Sequence, residues 1–398
     1  MEILAPAGSF IKLKYALLYG ADAVYTGGKI LNLRSKSSNL NNQELEAAVQ
    51  FCHSLQKKIY ITLNAFAHNN DLKKLPEFLT FLNHLQVDGI IVSDPAIFQL
   101  VKEYAPKIPI HISTQANVTS WKSAEFWYNQ GAARIILARE LSLPEIKIIK
   151  EKLPDLELEI FVHGAMCMAY SGRCLLSAFL NGRDANRGNC SHPCRWKYSL
   201  VEETRENSRF PIEQDDYGTY ILNSKDLCLF HRLPELMKAG ITSFKIEGRM
   251  KSLYYVSNLS RIYKKAVSEI KNNRKPSENL INELNKISHR VYTEGFIDGF
   301  DSSITQNYES SSYIREFQFL GTIIETDGKK IKVDVRSKFS LQDEIEIIYP
   351  DPEDDLKIKV SKIWSDENEL INFTKPNTTV FLELPEDAKS YGILRKKI

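Results

Sequence analysis

Four of the six cysteines of this 398-residue chain lie close together near its middle. They are Cys167, Cys174, Cys190 and Cys194, spaced C-x6-C-x15-C-x3-C. Four thiolates suit either a tetrahedral zinc ion or an iron–sulfur cluster, because both bind soft anionic sulfur. Structural zinc sites usually pair ligands two to four residues apart, so the wide gaps here favour a cluster. Zinc and metal-free thiols stay open as alternatives, and His163, His192 or Cys228 could replace a cysteine as ligand.

The rest of the composition is that of an ordinary globular protein from a reducing compartment. Hydrophobic residues make up 43% of the chain and charged residues 26%, which argues against disorder and fibrous structure. Six cysteines are few for a disulfide scaffold, and Cys52 lies in a helical pattern where a core position is expected. No run of eighteen apolar residues and no signal-peptide pattern is present, so we expect a cytoplasmic protein without a membrane segment.

Short apolar runs alternate with amphipathic stretches through the first 250 residues, which is typical of parallel strands joined by helices. Eight strands are predicted at Glu2–Ala5, Asp22–Tyr25, Lys58–Leu63, Asp88–Val92, Ile108–Ser113, Arg134–Leu137, Leu156–Val162 and Thr242–Ile246. Six of the helices are predicted at Ser9–Tyr19, Asn42–Leu55, Leu72–Leu85, Pro95–Tyr104, Ser120–Gln130 and Ser142–Lys152. Eight such units predict an α/β fold of the (β/α)8 TIM-like barrel class.

The spacing of these units also predicts the domain organisation. The interval before strand eight is too long for an ordinary connection, so residues 163–240 are interpreted as an insertion that carries the cysteines. The barrel is expected over residues 1–300 and a polar linker over 301–315. Short alternating strands with turn signals such as Asp327-Gly328 predict a small C-terminal all-β domain, a barrel or sandwich, over 316–398.

Chemistry in such a barrel takes place at the carboxyl ends of the strands. The candidates for catalytic or substrate-binding residues at these ends are Gln115, Arg139, His163, Lys245, Glu247 and Arg249. Arginine, lysine and amide side chains that converge there suit a substrate with carboxylate groups, and Arg249 is the first choice because it follows strand eight. A purely structural role, in which these groups pair with each other, is the alternative for each of them.

The charge distribution indicates where a polyanion would bind. The net charge is +2, but residues 316–398 carry 13 Lys/Arg and 17 Asp/Glu, which leaves +6 on residues 1–315. Residues 245–275 alone hold nine Lys/Arg and two Glu, with Tyr254, Tyr255 and Tyr263 between them. This pattern predicts either an RNA-binding surface or an ordinary solvated helix face.

Several long motifs resemble those of the U32 peptidase family. They are HGAMCMAYSGRCLLSAFLNGRDANRGNCSHPCRW from His163, LAPAG from Leu4, GADAVYTGG from Gly20, NSKDL from Asn223 and FKIEGRMKS from Phe244. Within that family the chain is most similar to the tRNA uridine 5-hydroxylation group, with which it shares YTEGF at Tyr292–Phe296 and a small C-terminal β-domain.

The resemblance implies a function and a cofactor. It implies a 4Fe-4S cluster on Cys167, Cys174, Cys190 and Cys194, prephenate as co-substrate, and 5-hydroxyuridine formation at the wobble position in the anticodon loop of tRNA. Cys228 follows the NSKDL segment directly and is the alternative to Cys194 as fourth ligand. A partner protein or a homo-oligomer is also to be expected among the interactions.

Two other classes of function are kept as rivals. The first is a collagenase-like peptidase, although the sequence contains neither an HExxH zinc motif nor a GxSxG nucleophile motif. The second is a non-enzymatic RNA-binding protein with a structural zinc ion. Metal analysis separates them, because iron with acid-labile sulfide is expected for the hydroxylase and zinc for the binding protein.

Overall fold

The structure is a computed structural model of the chain. It describes residues 1–31, 39–166, 176–181, 183, 190–191, 200–201, 209–210, 213–215, 218–220, 225–299 and 313–398. Cys167, Cys174 and Cys194 lie outside the described residues, as do residues 301–312 of the predicted linker. The domain boundaries drawn from the sequence therefore stay predictions.

Eight parallel strands close into a barrel in the first part of the chain. The described strands of this part, inside and outside the barrel, are β1 (Glu2–Pro6), β2 (Ala23–Thr26), β3 (Lys58–Leu63), β4 (Gly89–Val92), β5 (Ile110–Ile112), β6 (Arg134–Ile136), β7 (Glu157–Ala165), β8 (Leu200–Val201), β9 (Arg209–Phe210), β10 (Glu213–Asp215), β11 (Gly218–Tyr220), β12 (Asp226–Cys228), β13 (Ser243–Ile246) and β14 (Tyr292–Thr293). The eight barrel strands are β1 to β7 and β13. Strands β1 to β7 pair in sequence order, and β13 closes the ring by pairing with both β7 and β1. The predicted (β/α)8 barrel and its eight strands are confirmed.

The described helices are α1 (Phe10–Leu18), α2 (Asn42–Ser54), α3 (Asn69–Leu72), α4 (Leu75–Leu85), α5 (Pro95–Tyr104), α6 (Trp121–Asn129), α7 (Leu143–Lys152), α8 (Leu176–Asn181), α9 (Leu233–Lys238), α10 (Leu253–Lys271) and α11 (Glu278–Asn285). Local capping explains why the sequence placed several of them well. Asn41 and Glu44 form a capping box at the start of α2, and Asp94 caps α5 directly before Pro95. No described helix has the length and apolar character needed to cross a bilayer.

Strand β7 belongs to two pairings, and this places part of the insertion against the barrel. Its middle pairs with β13, and its last residues pair with the antiparallel strand β12, with Cys228 opposite His163 and Asp226 opposite Ala165. Strand β14 adds to the outer side of β12. The register between β7 and β13 shifts next to Ile246, so the carboxyl end of β7 departs from the regular barrel.

The C-terminal part is all-β, as predicted. Its strands are β15 (Phe317–Asp327), β16 (Lys330–Val335), β17 (Glu344–Ile348), β18 (Leu356–Lys359), β19 (Trp364–Ser365), β20 (Thr379–Glu383) and β21 (Ile393–Lys397), all antiparallel in the order β18-β17-β21-β15-β16-β20-β19. Gly328 adopts a φ of 55° in the β15–β16 turn, which is the conformation that the Asp327-Gly328 pair predicts. Residues such as Leu320, Val333 and Leu382 form its separate core.

Buried polar contacts join this β-domain to the barrel helices. Arg395 is 1% exposed, and its guanidinium donates to Glu283 of α11 at 2.7 Å and to the Tyr254 hydroxyl of α10 at 3.0 Å. Arg261 of α10 donates to Asp355 at 2.7 Å. Tyr254 also stacks on the Phe319 ring. The β-domain therefore covers the outward face of α10.

Candidate functional site

The carboxyl end of the barrel carries a polar mouth, and the loop after β13 supplies most of it. Arg249 of this loop is 3% exposed, and its guanidinium donates to Thr62 Oγ1 at 3.0 Å and to Asn39 Oδ1 at 2.6 Å. Thr62 is the second-last residue of β3, so the guanidinium reaches back across the barrel mouth. The predicted candidate Arg249 is thus held in a fixed orientation by neutral partners.

Two glycines explain why the β13 loop sits so close to its neighbours. A Cβ on Gly8 would lie 2.2 Å from the Arg249 carbonyl oxygen, and one on Gly164 would lie 2.8 Å from Glu247. Gly164 also has a φ of 115°, which favours glycine. The conspicuous glycine of LAPAG therefore provides backbone clearance for the loop that carries Arg249.

Glu247 and Tyr25 form a second contact at the mouth. The Tyr25 hydroxyl donates to the Ile246 carbonyl at 2.9 Å and lies 3.2 Å from the Glu247 carboxylate. Tyr25 is the third residue of β2 and Glu247 follows β13, so the contact joins strands on either side of β1. Glu247 is half-buried, which leaves part of its carboxylate accessible from the mouth.

Lys245 lies deeper, in an ion-pair network inside the barrel. Its ammonium group donates to Glu159 at 2.7 Å, and Arg134 donates to the same carboxylate at 3.0 Å. Burial alone would raise the pKa of the fully buried Glu159, but Lys245 and Arg134 hold that pKa below its ordinary value. Burial lowers the pKa of Lys245, against the opposing charge of Glu159. The network gives Lys245 a structural partner, and a direct role in catalysis stays a prediction.

Arg139 connects the mouth to the start of the cysteine-bearing segment. Its guanidinium lies 4.1 Å above the Phe161 ring and donates to the Ala165 carbonyl at 2.8 Å. Lys245 also approaches that ring, with its Nζ 5.5 Å from the ring centroid. Ala165 is the last residue of β7 and precedes Cys167 by two positions. Arg139 can therefore bind an anion at the mouth while it fixes the end of β7.

His163 points into an aromatic pocket instead of the polar mouth. It is 1% exposed, its Nδ1 lies 3.1 Å from the Tyr263 hydroxyl, and the rings of Tyr255 and Tyr292 surround it. Burial lowers the pKa of His163 to about 3, so the imidazole is neutral at physiological pH. Cys228 shares this pocket with its Sγ 3.9 Å from the Tyr263 hydroxyl, and burial raises the pKa of its thiol to about 11.

The remaining candidates are less constrained. Gln115 lies in a short 3-10 turn after β5 and is half-buried. Cys190 is half-exposed, and Ser191, which follows it, accepts a hydrogen bond from Asn181 at 3.0 Å. The Ser191 backbone N–H donates to the Ser177 hydroxyl at 3.0 Å.

Ser191 directly follows Cys190, and Ser177 follows Cys174 by three positions. The hydrogen bond between the two serines therefore joins chain segments close to two of the cysteines. A thiol such as that of Cys190 is a chemically suitable ligand for an iron–sulfur cluster. Among the residues that the structure describes, no group of three potential metal ligands comes together. The ligand set read from the sequence therefore stays a prediction.

The aromatic part of the surface predicted over residues 245–275 is wrong. Tyr254, Tyr255 and Tyr263 are 4%, 4% and 0% exposed, because they pack between the barrel and the β-domain or around His163. Arg261 is buried in its ion pair with Asp355, and Lys264 pairs with Asp22. Four of the nine cations in this segment are therefore buried or ion-paired, because Lys245 and Arg249 are buried as well.

Three residues of the mouth were missed from the sequence, namely Asn39, Thr62 and Phe161. Thr62 is a polar residue in the otherwise apolar run of β3, which was the available signal. Asn39 lies in a loop between β2 and α2, and nothing in its local sequence indicates that it reaches Arg249. Phe161 has the pattern of a core residue, and only the fold shows that the cations of Arg139 and Lys245 lie close to its ring.

Comparison with known proteins adds the family to this geometry. The model of peptidase family U32 matches residues 8–307, and that of the U32 C-terminal domain matches residues 315–395. The chain belongs to peptidase family U32. This confirms the resemblance seen in its motifs.

Three relatives illustrate the activities named within the family. The tRNA hydroxylation protein P of Haemophilus influenzae is 37% identical over 100% of this chain and 96% of its own length. A 23S rRNA 5-hydroxycytidine synthase of Escherichia coli is 37% identical over 68% of this chain and 40% of its own. A collagenase of Porphyromonas gingivalis is 33% identical over 75% of this chain and 73% of its own.

Proposed function

We propose that this protein hydroxylates tRNA, converting the wobble uridine to 5-hydroxyuridine with prephenate as co-substrate and a 4Fe-4S cluster. The observation that carries the proposal is the 37% identity to tRNA hydroxylation protein P along the full chain. The second relative, named for 5-hydroxycytidine in rRNA, supports the same class of reaction on a pyrimidine.

Arg249 and Arg139 are the residues that would bind the carboxylates of prephenate. A planar guanidinium matches a carboxylate through paired hydrogen bonds, and it keeps its charge at all physiological pH values. Thr62 and Asn39 are uncharged, so they orient Arg249 without neutralising it. Arg139 is likewise oriented by a ring and a carbonyl group instead of a carboxylate. Each guanidinium is therefore held in a fixed orientation at the barrel mouth, where it would pair with a carboxylate of the ligand.

Cys167, Cys174, Cys190 and Cys194 would hold the cluster, with Cys228 as the alternative to Cys194. When bound, such a cluster would supply electron transfer next to the substrate. Cys228 is buried and lies beside the Tyr263 hydroxyl, so it also has the environment of a core residue. Cys228 also lies opposite His163 in the β7–β12 pair, which is a structural position independent of metal binding.

The base would enter the mouth from a single-stranded loop. Bases of an anticodon loop are not locked in a duplex, so a uridine can turn out toward a protein pocket at small cost. The half-buried Glu247 and the Tyr25 hydroxyl lie at the mouth, where they could accept or donate hydrogen bonds to the base edge.

Mass spectrometry of tRNA nucleosides from a deletion strain tests the product directly. Loss of 5-hydroxyuridine, restored by the wild-type gene, is expected. A Cys174→Ser variant should restore neither the nucleoside nor the iron and acid-labile sulfide of the purified protein. Cys52→Ala is the matched control, because Cys52 is fully buried in α2 and lies outside the cysteine group. Full modification by metal-free protein would overturn the cluster, and unchanged nucleosides in the deletion strain would overturn the reaction.

The rival peptidase has one specific observation in its favour, the relative named collagenase. A cysteine peptidase needs an accessible thiolate beside a histidine. The described residues bring Cys228 and His163 together, but the thiol pKa is raised to about 11 and both side chains are buried. This pair therefore has the wrong protonation state and no access for a peptide. Zinc in place of iron would favour the RNA-binding alternative.

A further inference from the structure

Tyr313 lies shortly before the C-terminal β-domain, among three positively charged side chains. Lys251 Nζ is 4.5 Å from its ring centroid and donates to its hydroxyl at 3.4 Å. The guanidinium carbons of Arg290 and Arg315 lie 5.0 Å and 6.0 Å from the same centroid. Three cationic side chains therefore lie in a cluster around one aromatic ring.

Lys251 differs in its ion pairing from two cationic residues that follow it in the chain. Arg261 and Lys264, which follow in α10, form ion pairs with Asp355 and Asp22. Lys251 contacts the rings of Tyr255 and Tyr313 and the Tyr313 hydroxyl, and no carboxylate of the described chain lies within ion-pair distance of it. Stacking on aromatic rings holds the ammonium group in place and leaves its charge available.

The surface around the cluster is partly apolar and accessible. Met250 is 57% exposed, Val291 is 41% exposed and Ile314 is 41% exposed. Ile314 pairs with His289 through two backbone hydrogen bonds, which brings it beside Arg290 and Val291. Arg315 is exposed, whereas Arg290 is 2% exposed and supports the Tyr313 ring from below. Exposed apolar groups next to cations suit unpaired bases joined by phosphates.

The position of the cluster places it at the rim of the barrel mouth. Lys251 follows Arg249 by two residues in the loop after β13. The Val291 carbonyl accepts from the Asp226 N–H, and Asp226 pairs with Ala165 at the end of β7. The cluster therefore flanks both the guanidinium of Arg249 and the strand end that precedes Cys167.

We propose that Lys251, Tyr313 and Arg315, supported by Arg290, form the surface that binds the phosphates of the RNA loop. This rests on the proposed function, and it places the RNA contact outside α10, whose three tyrosines are buried. Lys251 and Arg315 each contact one backbone phosphate, and the exposed Met250 and Ile314 pack against bases. The acidic neighbours are Asp226, which is buried and accepts the Arg290 backbone N–H, and the exposed Glu316.

The salt dependence of RNA binding tests this surface. The full-length protein is titrated against a fluorescein-labelled tRNA anticodon stem-loop in about 50 to 200 mM KCl, where each lost phosphate contact lowers the log–log slope by about 0.7 to 0.9. Lys251→Gln and Arg315→Gln are each expected to weaken RNA binding several-fold and to lower the log–log slope by the amount of one phosphate contact. The double variant is expected to lower the slope by the amount of two contacts. Lys107→Gln is the matched control, since Lys107 is exposed in the loop before β5 at the opposite end of the barrel.

The outcomes separate the surface from the function. If the wild type binds the RNA and both variants bind it with the same affinity and the same salt slope, the proposed surface is overturned and the proposed function stands. Equal losses in the variants and in Lys107→Gln would also overturn it, because the effect would then be one of net charge. Absence of RNA binding by wild-type protein would overturn both. A variant that loses prephenate use while its RNA affinity is unchanged would reassign Lys251 to the small anion. Thermal unfolding of each variant, monitored by circular dichroism, confirms that the chain is folded.

Discussion

The buried ion pair between Lys245 and Glu159 gives the sharpest stability prediction. Glu159 is fully buried and accepts from both Lys245 and Arg134. Arg134 also pairs with Glu2 and Glu157, whereas Glu159 is the only ion-pair partner of Lys245 among the described residues. The substitutions Glu159→Gln and Lys245→Met remove one partner at a time with little change in volume.

Removal of one member of a buried ion pair typically costs about 3–5 kcal/mol, because the remaining charge stays desolvated. Glu159→Gln should fall at the upper end, since it leaves the Lys245 ammonium without a carboxylate partner. Lys245→Met should fall at the lower end, since Arg134 continues to neutralise Glu159 at 3.0 Å. The double variant should be less destabilised than the sum of the two by about 2 kcal/mol or more, because it leaves no isolated lysine.

Urea unfolding of the four proteins measures this coupling as a double-mutant cycle. Lys264 and Asp22 provide the matched surface pair, with side-chain exposures of 43% and 23%. Their cycle should give less than about 1 kcal/mol, as exposed pairs do. A coupling below about 0.5 kcal/mol for Lys245 and Glu159 would refute the reasoning. The ammonium group would then be independent of Glu159, and the direct substrate role predicted for Lys245 would gain support.

Three further predictions concern the domain junction and the mouth. Burial alone would raise the pKa of Glu283, but Arg395 lowers that pKa from 4.5 to about 2. The ion pair of Glu283 with Arg395 should therefore contribute about 3 kcal/mol to the free energy of unfolding above pH 4.5, and this contribution should be lost as the pH falls toward 2. Urea unfolding against pH should show this loss in wild type and not in Glu283→Gln. Arg249→Ala should reduce kcat/KM for prephenate by at least about tenfold with iron content unchanged, consistent with loss of about 1.5 kcal/mol or more from a charged hydrogen bond; unaltered prephenate kinetics would remove the assignment. Gly8→Ala should destabilise the protein by about 1–3 kcal/mol in thermal unfolding, because its methyl group would meet the Arg249 carbonyl at 2.2 Å, and a neutral effect would contradict the close packing of this loop.

The fold was predictable because its signals are local. Each barrel strand is an apolar run, as in the Lys58–Leu63 strand, where the structure and the sequence agree on both ends. Asp94 followed by Pro95 marks the start of α5 in the same way. Such patterns require only neighbouring residues, and no knowledge of what packs against them.

The polar site was less predictable because its partners are distant in the chain. Arg249 and Asn39 are 210 positions apart, and Arg395 meets Glu283 across 112 positions. The sequence identified Arg249 by its place after a strand, but it gave no sign that Asn39 would orient it. The burial of Tyr254 in α10 could not be read from the local sequence, because the β-domain residue that stacks on it, Phe319, comes 65 positions later in the chain.

The loop after β13 connects the candidate chemistry to the candidate RNA contact. Its backbone is packed between Gly8 and Gly164, its Arg249 reaches Thr62 across the mouth, and its Lys251 reaches Tyr313 on the β-domain side. A shift of this loop would move the guanidinium and the ammonium together. Occupation of the rim by an RNA loop and of the mouth by a carboxylate would therefore be coupled, and each ligand would be expected to tighten binding of the other by the same factor. Measuring the RNA affinity with and without prephenate, in wild type and in Gly8→Ala, would show that coupling, and equal affinities under both conditions in wild type would exclude it.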